Sequence, residues 1–306
     1  MEPLSRDRAG DVGGVVATHL PGYLIDTVVL LGEGQDNAAY EVNGELIVRF
    51  SKEPDPRRRA ANVNDEARLL ATVAGISPLP VPEPAFTAAE QGCLAYFKLP
   101  GLPLIDVPSS RRSAHGASIA AALGELLAAL HSVSAGPTAD LVAGLVGTDD
   151  EPKALWLSEA AQLYADLAPH VPAAHRPAVE AFLDAPPPAD GPALAFSHND
   201  LGIEHVLVDP VTWAVTGVID WSDAAIVDPA CDFGLLYRDL GPDAVRVALR
   251  GYPADVHETE AIVARAAFYA RCGVFEEMAY GLETGHREYF DKSLAALRWL
   301  YPAQPR

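Results

Sequence analysis

The sequence predicts an α+β protein in two lobes: a small antiparallel sheet carrying one helix, then a larger and mainly helical part. Two observations lead there. Strand-like runs and a hairpin signal crowd the N-terminal third, while helical apolar periods dominate the remainder, broken by a few short apolar strands. The breaker pair Pro100 and Gly101 sets the expected boundary, with lobes at 1–99 and 100–306.

In chain order, residues 26–31 are apolar and β-branched and read as a strand, with Gly32 to Gly34 as a turn. A second strand over 39–42 runs into Asn43 and Gly44, a strong two-residue hairpin signal, and 45–50 follows as the third strand. Residues 58–74 carry Ala67, Leu70 and Ala71 on one helical face and stop at Gly75. Pro78, Pro80, Pro82 and Pro84 exclude a regular helix after it, and 93–98 is a further strand. Beyond the boundary, Ile119, Leu123, Leu126, Leu127 and Leu130 mark a core helix over 118–132. Short strands are expected at 193–196, 206–208 and 215–219, and helices over 155–167, 263–280 and much of 243–300.

Composition narrows the class. Hydrophobic residues are 49% and charged residues 21%, the proportions of a folded globular chain. No apolar run approaches the ~20 residues that span a bilayer, and residues 1–12 are charged rather than leader-like, so cytoplasmic residence is the expectation. Cys93, Cys231 and Cys272 are too scattered for a disulfide framework or a thiolate zinc site. The net charge of −20 opposes binding to nucleic acid or anionic membrane and favours cationic ligands, although solubility alone accounts for an acidic surface equally well.

Chemistry concentrates in residues 197–232. His198, Asp200 and His205 fall in a loop between two strands, and Asp220 directly follows an apolar strand. Strand ends are held rigidly, so the two carboxylates are expected to be fixed around one reacting centre. One can accept a hydroxyl proton while the other holds a divalent metal, the division of labour that phosphoryl transfer requires.

Taken in order, His198-Asn199-Asp200, His205, Ile219-Asp220-Trp221 and the Asp228, Pro229, Asp232 element resemble the aminoglycoside and macrolide phosphotransferases, a branch of the protein-kinase-like fold. The resemblance implies a bilobal kinase-like architecture. It also implies Asp200 as catalytic base, Asp220 as chief magnesium ligand, His205 at the place of the second metal ligand, and His198 and Asp232 as braces of the catalytic loop through hydrogen bonds, His198 being counted with Asp200 among the catalytic residues. His205 replaces the usual Asn, and magnesium prefers oxygen; some macrolide kinases share the His. Within the same pattern Gly32, Glu33, Gly34 and Gln35 stand where a phosphate-cradling loop would be, Arg49 where the phosphate-gripping Lys is, and Glu66 where its partner on the next helix is. Arg keeps the charge and can grip two oxygens. Lys98 and Leu99 fall in the hinge that would meet the purine through backbone groups, and His131 is read as a core or capping residue.

The implied reaction moves the γ-phosphate of ATP or GTP, with Mg2+, to a hydroxyl of a small cationic antibiotic, an aminoglycoside first. Asp223, Asp239, Glu276 and Glu277 are the expected acidic contacts, although a solvated surface place is open to each. A macrolide or another metabolite would use the same parts. A catalytically weak nucleotide-binding pseudokinase and a metal-dependent hydrolase built on His198, Asp200, His205 and Asp220 are the readings from other classes.

Overall fold

The computed structural model describes residues 7–34, 37–133, 135–191 and 193–303. Gln35, the last residue of the glycine-rich stretch, and residues 1–6 of the charged N-terminus lie outside the described residues. The chain divides into two compact units, 1–100 and 101–306, one residue beyond the boundary that the sequence suggests.

The first unit holds α1 (Asp7–His19), β1 (Val28–Glu33), β2 (Asn37–Val42), β3 (Leu46–Ser51), α2 (Pro56–Ile76), β4 (Pro84–Ala88) and β5 (Cys93–Phe97). The strands form one antiparallel sheet in the order β1-β2-β3-β5-β4. Asn43 and Gly44 both take positive φ, 53° and 75°, the mirror-image turn that matches strand twist. The Asn43 side chain also accepts the backbone N–H of Asp26 and of Thr27, tying the hairpin to the chain that enters it.

Four differences from expectation appear here. A second helix, α1, packs Val12, Val15 and Val16 against Tyr40, Val42, Val48 and Phe50 of the sheet. Gly10, Gly13 and Gly14 dilute its helical signal, so the apolar spacing goes unread. Gly32 lies within β1 rather than in a turn, and Pro84 opens an edge strand, a place where a missing N–H is tolerated. Helix α2 starts two residues before the expected 58, with Asp55 accepting Arg57 N–H and Arg58 N–H and Pro56 at the first position, and it runs one residue past Gly75.

The second unit contains β6 (Leu102–Pro103), α3 (Ser109–His131), α4 (Pro137–Ala143), β7 (Gly147–Thr148), α5 (Lys153–Leu167), α6 (Arg176–Leu183), β8 (Ala195–Ser197), β9 (Val206–Val208), β10 (Val215–Val218), β11 (Ala225–Val227), α7 (Ala230–Leu240), α8 (Pro242–Ala248), α9 (Val256–Thr284) and α10 (Arg287–Leu300). Its strands form two three-stranded sheets, β10-β9-β6 and β7-β11-β8. Helix α9 is the hub: α5, α7 and α10 all pack on it. Glycine permits the closest crossings. A Cβ at Gly124 of α3 would fall 2.2 Å from the Ala248 carbonyl oxygen, and one at Gly281 of α9 would fall 2.6 Å from the Phe290 nitrogen. Among the described residues α3 alone is long and apolar enough to cross a membrane; here its apolar face is buried and packs on α8.

Candidate active site

The loop 198–205 joins β8 to β9, and the end of β10 is tied to it by the Ile219 N–H donated to the His205 carbonyl at 2.9 Å. Buried Asp232, in the first turn of α7, braces the start of the loop. Its carboxylate accepts His198 N–H at 3.1 Å and Asn199 N–H at 2.8 Å. His131 of α3 donates to the same carboxylate from Nε2 at 3.1 Å while its Nδ1 faces the Tyr252 hydroxyl at 2.9 Å. With this bracing Asn199 holds φ 66°, and Asp220 after β10 holds φ 62°. Non-glycine residues rarely adopt such φ, and where they persist the surroundings enforce them.

His198 is fully buried. Its Nε2 lies 3.1 Å from the Ile219 carbonyl and its Nδ1 3.3 Å from the Asp200 N–H. A carbonyl only accepts and an amide N–H only donates, so the ring is the neutral form with the proton on Nε2. Burial agrees, pushing the His198 pKa below its ordinary value against the pull of Asp232. His198 therefore positions the backbone on either side of the site. Bracing of the loop through hydrogen bonds is what the resemblance implies for His198; a buried ring with both nitrogens spent on main chain has no atom left for a substrate.

Asp200 meets His205, Nε2 to Oδ2, at 3.1 Å. Burial favours a neutral Asp200, but the hydrogen bond and charge of His205 outweigh it and hold the carboxyl below its usual range. The partner moves in the matching direction: burial lowers His205, and Asp200 overrides it and raises the imidazole. Asp200, His205, Asp220 and Asp223 all line one cavity of about 600 Å3, together with Glu204, Glu276, Glu277, Trp156, Tyr269, Tyr280 and Tyr289. The three residues expected to converge do so.

The oxygen donors suit a hard divalent cation. Asp220 presents a carboxylate of which Oδ1 accepts the Ser222 hydroxyl at 2.8 Å, and Asp200, Glu204 and His205 bring ligand atoms within 4.8 Å of one another. His205 fits less simply, because its Nε2 proton is donated to Asp200.

Two acidic residues are not where a ligand could use them as expected. Asp239 has only 2% of its side chain exposed and does not line the cavity. Its carboxylate takes Arg238, Lys292 and the Ile203 N–H, the last at 3.1 Å, so it is a structural ion and its assignment to substrate is corrected. Glu277 does line the cavity, yet it pairs with Arg238 at 3.0 Å and Lys292 at 3.1 Å. The sequence did not single out Glu204, Arg238 or Lys292, nor the aromatic walls Trp156, Tyr280 and Tyr289. Residues scattered over a loop and several helices carry no spacing signal.

In the first unit Arg49 Nη1 of β3 bonds Glu66 Oε1 of α2 at 2.6 Å, both partly buried. Lys52 bridges Glu33 Oε2 at 3.2 Å and the Gly34 carbonyl at 2.8 Å, pinning the end of the glycine stretch that Gly32 opens. Lys98 pairs with Glu41, and its N–H is donated to the Glu45 carbonyl at 2.8 Å. A purine could therefore take only a carbonyl from Lys98, which narrows the expected hinge role; Leu99 follows it, half-buried.

An ionised carboxylate beside an imidazole, with a second carboxylate after a strand in the same cavity, suits a kinase-type phosphotransferase with an alcohol group as acceptor, and the comparisons show that class. Residues 27–268 match the phosphotransferase enzyme family, and the chain belongs to it. It is 30% identical over 305 residues to viomycin phosphotransferase of Streptomyces vinaceus, an alignment covering 93% of this chain and 96% of that one. The fold is shared with aminoglycoside 2'-phosphotransferase-IIIa in its GDP complex, with TM-score 0.67, 23% identity, and 95% and 97% of the two chains covered. It is shared also with macrolide 2'-phosphotransferase of Brachybacterium faecium, with TM-score 0.62, 24% identity, and 97% and 99% covered.

Proposed function

We propose that this enzyme transfers the γ-phosphate of ATP or GTP to a hydroxyl of a polycationic antibiotic, with Asp200 as the base. The observation that carries this is the cavity in which Asp200, ionised beside His205, stands with Asp220, Asp223 and Glu276 among four aromatic side chains. Such walls favour ammonium and guanidinium groups through charge and through ring faces.

Asp200 accepts the proton as the hydroxyl oxygen bonds to the γ-phosphorus and the bond to the bridging oxygen breaks, releasing the nucleoside diphosphate. Asp220, with His205 beside it, would hold magnesium, which when bound neutralises charge on the phosphate oxygens. Arg49, oriented by Glu66, would grip the donor phosphates, with Gly32 and Gly34 leaving backbone room near them and Leu99 and the Lys98 carbonyl meeting the purine. Such donors, and the acidic surface, fit work in the cytoplasm away from nucleic acid and membrane.

An aminoglycoside is the first acceptor to test. Viomycin is the second, supported by the relative of 30% identity. The acid lining argues against a macrolide, which asks for a broad apolar cleft. ATP and GTP turnover should be measured with kanamycin, gentamicin, streptomycin, viomycin and a macrolide, and the products weighed. A mass gain of one phosphate on a cationic antibiotic is expected. Hydrolysis of an acceptor would instead favour the metal-dependent hydrolase, and tight nucleotide binding without transfer to any acceptor the pseudokinase.

A further inference from the structure

We propose that Lys292, on the C-terminal helix α10, is a positioning residue that fixes the loop presenting Asp200. Its ammonium is buried and lies 2.6 Å from Glu204 Oε2, 3.1 Å from Asp239 Oδ2 and 3.1 Å from Glu277 Oε2. Two of these partners lead straight into the loop. Glu204 precedes His205, whose ring holds Asp200 at 3.1 Å. Asp239 accepts the Ile203 N–H at 3.1 Å, so one carboxylate joins Lys292 to the loop backbone.

The loop is shaped for this tether. A Cβ at Gly202 would fall 2.3 Å from Glu204 Oε1, so the glutamate carboxylate folds back against the loop backbone at a place that a larger residue would close. The cluster has three carboxylates and two cations, the second being Arg238, which is 2.9 Å from Asp239, 3.0 Å from Glu277 and 3.8 Å from Glu204. Without Lys292, Arg238 is left to serve all three carboxylates, two of them buried. Their mutual repulsion drives out the one on the most yielding backbone, since buried charge left unpaired is strongly disfavoured. Asp239 and Glu277 are fixed on helices; Glu204 sits in a loop, so the displacement falls there.

This rests on Asp200 being the base, and the experiment separates the two. In the full-length protein, the His205 ring N–H should give a hydrogen-bonded proton signal by NMR, identified by its absence in His205→Asn. Lys292→Met should abolish or strongly shift that signal, and Glu204→Gln should do likewise if the methionine variant does not fold. Lys292→Arg, which keeps the charge, should restore part of it. A lysine that merely ties helices together would lower the melting temperature and leave the ring signal in place, and that result would overturn the proposal.

With ATP and either kanamycin or viomycin, Lys292→Met should lower kcat by ~10²-fold, the scale for a misplacement of ~1 Å, at unchanged nucleotide KM. In an Asp200→Asn background the same change should cost little more, because both act on one group. Full additivity would count against Lys292. Undiminished activity in Asp200→Asn alone would count against the base assignment and leave the NMR result standing.

Discussion

His205 Nε2 and Asp200 Oδ2, five residues apart in the loop 198–205, lie 3.1 Å from each other, and each shifts the other toward its charged form against the pull of burial. An ionised carboxylate at rest is a base ready to receive a proton, and its depressed basicity limits how long it keeps one. The His at this position therefore acts on Asp200, whether or not it also holds a cation.

Asp200→Asn should leave nucleotide affinity nearly unchanged and slow the chemical step by ~10²–10⁴-fold, the usual range for losing a general base. Calorimetric nucleotide titration beside single-turnover rates separates the two quantities. Asp220→Ala should abolish turnover while the circular dichroism spectrum stays that of the wild type.

For His205 the informative pair is Asn and Ala. If the imidazole also serves magnesium, His205→Asn should remain active with magnesium because the amide oxygen suits that ion, and His205→Ala should be the poorer enzyme. Equal loss in both, at saturating magnesium, would instead assign His205 wholly to Asp200.

Arg49 and Glu66 meet at 2.6 Å across β3 and α2. Arg49→Ala should raise the nucleotide KM and lower kcat, because a charge-assisted contact that positions phosphate is lost. Arg49→Lys should recover part of both, since a point charge reaches one oxygen but the planar fork is gone. A surface pair with no ligand would be worth ~0–1 kcal/mol and would leave kinetics untouched.

Asp239 supplies a pH signature. Burial opposes its ionisation, but Arg238 and Lys292 hold its carboxyl well below the ordinary carboxylate range. A group depressed on folding contributes its full stability above the unfolded pKa, near 3.9, and loses it progressively as pH falls below that value. The difference in unfolding free energy between wild type and Asp239→Asn should accordingly narrow by about 1 kcal/mol between pH 7 and pH 3, each measured by urea denaturation. A constant difference across that range would show that the ion cluster does not hold Asp239 ionised.

What the sequence disclosed follows physical range. Asp200, His205 and Asp220 sit within 21 residues on short strands and turns, so their spacing survives into space. Arg49 and Glu66 were legible for the same reason, one on a strand and one on the helix that follows. Lys292 lies 88 residues from Glu204, and nothing local announces that they touch. Asp239 was misread because a charged residue on an amphipathic helix is ordinarily exposed, and only the neighbouring cations reverse that. Glycines hid α1 and prolines hid β4, since propensity speaks before packing is known.

The neutral ring of His198 also works as a ruler. One edge receives the Asp200 N–H and the other reaches the Ile219 carbonyl, immediately before Asp220. The span of an imidazole thus sets the gap between the backbone that carries Asp200 and the backbone that carries Asp220. A side chain of another length could satisfy both partners only by moving one of those acids. The separation of the two acids is written into the width of a single aromatic ring, buried away from the cavity they line.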